Sequence, residues 1–129
     1  MTTTPDVGGL DVDFLILADR AEAVNGKLYM MGGGWDRIWV PDFAKPHPLS
    51  IAVGVVVPWS ATNEKHSLSV RVEANDGQEL ATYAVQFTTG RPPFLREAQS
   101  QRIILSFHGE LTLPSPGTYA VRGIIDNDT

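Results

Sequence analysis

Three tryptophans and one arginine are the side chains of this sequence best suited to gripping a ligand. Trp35, Arg37 and Trp39 occupy alternate positions, which sets them on one face of a strand if no bulge intervenes. Indoles flanking a guanidinium form a surface on which a sugar or a peptide can stack. Trp59 joins this candidate ligand-binding set. The competing reading is structural: one indole plugs the core, as the single tryptophan of immunoglobulin domains does.

Other chemistry is weaker. Gly32-Gly33-Gly34 offers backbone amides that could cradle a phosphate. That use needs a helix N-terminus or a nearby Lys with Ser or Thr. Here a strand and Asp36 are expected to follow, so a bulged, bent strand is the better reading. His47, His66 and His108 are far apart and none stands at ligand spacing from another. Asp19, Glu22, Asp36 and Asp42 could supply a hydrolytic carboxylate pair, but turn and strand-end carboxylates are ordinary in β-proteins. No Gly-x-Ser-x-Gly elbow occurs. No catalytic residue, metal site or cofactor is therefore assigned.

Composition narrows the classes further. The net charge is −5 and the ten Lys and Arg are scattered, against the clustered cations that nucleic-acid binding needs. The 129 residues hold no cysteine, which removes disulfides, thiolate zinc sites and thiol catalysis. The first nine residues have neither a basic stretch nor an apolar one, so no secretory signal is expected, and the expected compartment is the cytoplasm. The longest apolar run, Phe14 to Ala18, is too short to span a bilayer. Neither nucleic acid nor membrane is an expected partner.

The elements that must position these residues are all strands. Residues 1–9 read as a flexible N-terminal tail and 10–129 as one domain. Asn25-Gly26 is the two-residue signature of a type I′ hairpin, with φ > 0 at Gly26. Asp11 to Ala18 reads as a strand, as does Trp35 to Val40, stopped by Pro41. Leu49, Ile51, Val53, Val55 and Val57 alternate through a long strand ended by Pro58. Leu68, Val70 and Val72 alternate with Ser67, Ser69 and Arg71, and a hairpin over 66–89 is expected to turn at Asn75-Asp76-Gly77. Gly109 marks a bulge or a close approach in the strand from Ile103 to Leu113. Pro116-Gly117 delivers Tyr119 into the last strand, where its hydroxyl should bond back to the preceding loop. Seven to eight strands without helices predict an all-β, antiparallel β-sandwich, with a closed β-barrel as the alternative.

The run from Phe14 to Glu22, then Gly26-Lys27-Leu28-Tyr29, Gly32-Gly33-Gly34-Trp35-Asp36, His47-Pro48-Leu49 and Pro116-Gly117-Thr118-Tyr119 resembles a family of small bacterial, largely actinobacterial, proteins of unknown function. Their signature runs Ala-Asp, Asn-Gly-Lys-Leu-Tyr, Gly-Gly-Gly-Trp-Asp. The resemblance spans about Asp11 to Asp126. It implies a single-domain β-sandwich and brings no catalytic residue.

The functional expectation is a non-enzymatic binding module whose partner is another protein or a second copy in a homodimer. The motive is that Leu15, Leu17, Ile104 and Ile124 stand beside apolar neighbours, so some apolar side chains must face outward and be covered. A small-ligand or glycan binder using Trp35, Arg37, Trp39 and Trp59 is the alternative. A hydrolase using loop carboxylates comes third.

Overall fold

The computed structural model describes residues 9–126. Residues 1–8 of the expected tail over 1–9, and the last residues, 127–129, lie outside them. Seven strands form: β1 (Asp11–Val24), β2 (Lys27–Gly33), β3 (His47–Pro58), β4 (Lys65–Ala74), β5 (Glu79–Thr88), β6 (Ser100–Leu111) and β7 (Tyr119–Ile125). A single 3-10 turn, Trp59–Ala61, is the one helical element among the described residues. The strands build two antiparallel sheets, ordered β2-β1-β3-β6 and β5-β4-β7. Neither sheet closes on itself, so the architecture is the sandwich and not the barrel. No helix among the described residues is long and apolar enough to cross a membrane.

The alternating runs face each other across the core. Ile51, Val53, Val55 and Val57 on β3 are fully buried, as are Leu68, Val70 and Val72 on β4. Each such side chain contributes about 1.5–3 kcal/mol by leaving water. The β4–β5 register sets Ser69 and Arg71 on the opposite face, as the alternation requires. Tyr83 on β5 meets Phe107 on β6 between the sheets, with ring centroids 6.2 Å apart. Gly109 is the close approach: a Cβ there would collide with the Tyr83 hydroxyl.

The turns follow their residues. Asn25 and Gly26 take φ of 52° and 74°, both positive as a type I′ turn demands. Gly77 has φ 90° and donates its N–H to the Ala74 carbonyl at 2.9 Å. The Tyr119 hydroxyl bonds back to the Ser115 carbonyl.

Two expectations are corrected. Trp35 to Val40 is not a strand. Gly32 and Gly34 take φ of 60° and 88°, which turns the chain off the ladder before Trp35. Of the expected outer patch of Leu15, Leu17, Ile104 and Ile124, the last two do keep to outer faces, opposite Gly54 and Ser69, but Leu15 and Leu17 do not. A bulge between Val12 and Phe14 resets the parity of β1. Leu15 and Leu17 then stand opposite Val53 and Ile51 and point into the core. Phe14 and Ile16 face outward instead, and Ile124 is only 7% exposed.

The outer face of β3 is buried as well, which its sequence does not announce. The Phe14 ring lies over Gly54, where a Cβ would collide with it. Pairing of β1 with β3 stops at Ala18. Beyond that point the β1–β2 hairpin leans over this face, so that the Ala23 N–H donates to Ser106 Oγ of β6 at 3.3 Å. Ala18, Ala21 and Ala52 form the small cluster beneath, packed by Phe14, Ile16 and Leu28.

Candidate functional site

The candidate ligand-binding residues are not assembled into one site. Trp35 packs against the main core and its Nε1 is buried without a hydrogen-bond partner among the described residues. Trp39 is 88% exposed, four residues along an irregular segment. Arg37 is exposed in the same segment. Trp59 sits just beyond the end of β3, as the first residue of the 3-10 turn. A different arginine covers it: the Arg91 guanidinium lies 3.5 Å above the indole. Arg91 also donates to Thr62 Oγ1 at 2.8 Å and to the Trp59 carbonyl at 3.1 Å. Thr62 Oγ1 donates in turn to that carbonyl at 2.7 Å. This closed set fixes the 3-10 turn against the 89–99 loop and leaves only one indole face for anything else.

Beside that turn an open groove of about 830 Å³ runs along one end of the sandwich, lined among others by Asp11, Ser60, Glu64, His66 and Asp126. Its chemistry centres on His66, which is 8% exposed. His66 Nδ1 donates to Asp126 Oδ2 at 2.9 Å, and Nε2 donates to the Ala61 carbonyl at 2.8 Å. Both partners are acceptors, so the imidazolium is the form they favour. Burial works against that charge, but the Ala61 carbonyl and the Asp126 carboxylate outweigh it and raise the His66 pKa above 6.5. Asp126 is likewise opposed by burial, yet the Ser67 N–H and His66 hold its pKa below the usual carboxylate value.

This pair is a latch and not a base. A general base needs a free ring nitrogen within reach of a proton; both nitrogens of His66 are engaged within the fold. Asp126 adds to the latch through its Oδ1, which accepts the Ser67 N–H at 2.8 Å, while its own N–H donates to the Ser67 carbonyl at 2.8 Å. His47 and His108 lie elsewhere; His108 Nδ1 shares a 2.8 Å hydrogen bond with Ser50 Oγ. No group of three or more His, Asp or Glu among the described residues could hold a metal ion.

What the surface does offer is apolar. Among the described residues, the exposed large hydrophobic ones are Val24, Tyr29, Met30, Met31, Ile38, Trp39 and Phe94. All but Phe94 fall within the hairpin and the segment that leaves it. Tyr29, Met30 and Met31 lie on β2, an edge strand. Edge strands of soluble proteins are usually blunted by charge, proline or a bulge. The signal was present in the sequence: Leu28-Tyr29-Met30-Met31 lacks the polar alternation of a half-buried strand. The His66–Asp126 pair had no such signal, since the two residues are 60 positions apart.

His66, Asp126, Arg91 and the whole of β2 lie within one matched region. No curated protein and no solved structure matches the chain. One family model does, over residues 13–129, and the chain belongs to that family: DUF6941, a family of unknown function.

Proposed function

We propose that this protein is a non-enzymatic interaction module of the bacterial cytoplasm. Its working surface is the β1–β2 hairpin with the segment up to Trp39. The observation that carries this is the concentration of exposed Val24, Tyr29, Met30, Met31, Ile38 and Trp39 in one short stretch. Large exposed apolar side chains concentrated in this way mark a protein contact. Aromatic and methionine side chains are the types enriched in such contacts. The glycan reading has less support, because Trp35 packs inward and Trp59 is held under Arg91.

The test is affinity capture with the purified chain, compared with a variant carrying Met31→Lys and Trp39→Ser. Both positions are more than two-thirds exposed, so the fold should be unaffected, as circular dichroism would verify. A partner retained by the native surface and lost by the variant is expected. A partner held equally well by both would overturn the assignment of this surface.

A further inference from the structure

If the hairpin is the interaction surface, its own backbone specifies a partner; the identity of that partner rests on the surface proposed above. Four strands lie at sheet edges: β2, β6, β5 and β7. Of these, β2 alone carries exposed large hydrophobic residues among those described. It holds no proline, and Lys27, its first residue, is its one charge. By contrast β5 has Glu79, β6 has Arg102 and Glu110, and β7 has Arg122.

Backbone direction is set by the turn. Val24 and Lys27 close the two-residue hairpin. Lys27, Tyr29 and Met31 therefore aim their N–H and C=O groups at β1, while Leu28 and Met30 aim theirs away from the sheet. Gly32, at φ 60°, ends the extended run, so the free edge is Lys27 to Met31.

A symmetric antiparallel pairing of this edge is constrained by parity. Opposed residues point to the same face, and a two-fold axis through the sheet keeps each residue on its face. The axis must then pass through a residue, not between two. The middle of the free run is Tyr29. Centred there, Leu28 stands opposite the second copy's Met30, and each carries outward amide and carbonyl groups. The two such pairs form about four hydrogen bonds. Tyr29 meets its own copy in a non-hydrogen-bonded pair, where side chains come closest. Lys27 stands opposite the second copy's Met31, so no like charges meet. The strand read backwards thus satisfies every group that it leaves open, and it has almost no charge with which to select a different strand.

We propose that two copies of this chain associate edge to edge through antiparallel β2–β2 pairing centred on Tyr29, joining their four-stranded sheets into one continuous sheet.

The cysteine-free sequence makes the test clean, since an introduced thiol is the only one present. Light scattering of the unaltered protein at micromolar concentration should give twice the 14.1 kDa chain mass. Opposed residues in a non-hydrogen-bonded pair have Cα atoms about 4.5 Å apart, within reach of a disulfide. Tyr29→Cys should therefore oxidise to a covalent dimer, while Thr82→Cys on the β5 edge should not. Should Tyr29→Cys fold poorly, Lys27→Cys and Met31→Cys serve instead: neither should cross-link alone, and a mixture should yield the mixed disulfide. Met31→Lys should weaken the dimer at least tenfold. A mass of one chain at all micromolar concentrations would overturn the proposal. So would a dimer in which neither cysteine design cross-links. A monomer that still captures another protein through the hairpin would keep the interaction module and reject the second copy as its partner.

Discussion

Asp126→Asn should destabilise the protein near pH 5.5 and do so much less near pH 9. Asp126 sits at φ 52°, a conformation that asparagine accepts readily, so the backbone is left alone. The new side chain can still accept the Ser67 N–H through its carbonyl oxygen. What it cannot do is accept from the imidazolium, because its second atom is now a donor facing the His66 Nδ1–H. One charge-assisted hydrogen bond is worth about 1.5–3 kcal/mol. The Asp126 side chain is 41% exposed, and solvent screening draws the expected loss to the lower end, about 1–1.5 kcal/mol. In a 129-residue domain that is a fall of about 3–6 °C in melting temperature.

The pH dependence has a definite sign. The folded His66 pKa is raised, so its contribution is complete below about pH 6.5 and fades as pH climbs through the raised value. The folded Asp126 pKa is lowered, so its contribution is complete above about pH 3.9 and fades as pH falls through the lowered value. Wild type minus variant should thus be greatest between about pH 4 and 6.5. Above that window the neutral ring can accept from the Asn amide, and the difference shrinks. Denaturant titrations of both proteins from acid to alkaline pH measure it. A difference that is flat with pH, or that grows toward pH 9, would refute the latch.

Gly26→Val should cost about 1 kcal/mol or more, because φ is 74° while no atom lies near enough to clash; denaturant unfolding reads this directly. Gly109→Ala should cost about 1–3 kcal/mol by overpacking against Tyr83, and the same measurement checks it. Arg91→Ala should shift tryptophan emission to longer wavelength and cost about 1–2 kcal/mol, since Trp59 loses the guanidinium above it. EDTA should leave the melting temperature unchanged, as no metal-ligating group of three exists among the described residues.

Much of the framework was legible in the sequence. A period of two over Leu68 to Val72 sets faces, and faces set register, because a shift of one residue would bury Arg71. Asn25-Gly26 and Asn75-Asp76-Gly77 specify their turns through residues that accept φ > 0, at Asn25, Gly26 and Gly77. Tyr119 was readable for a similar reason: its hydroxyl answers a hydrogen-bonding demand four residues back, at the Ser115 carbonyl. Such signals act within a few residues, so one sequence window contains them.

Tertiary structure decided the remainder. The bulge after Val12 reverses which of Phe14 and Leu15 faces the core, and nothing within β1 itself requires it. Trp35, Arg37 and Trp39 look like one strand face until two left-handed glycines redirect the chain. His66 acquires its two hydrogen-bond acceptors from Ala61 and Asp126, and Trp59 its cover from Arg91, through loops whose paths are set by sheet packing. The apolar run of β2 was plain in the sequence, but whether it would be central or an edge was not. That depends on which strands pair beside it, and strand pairing is a long-range choice made by the whole core.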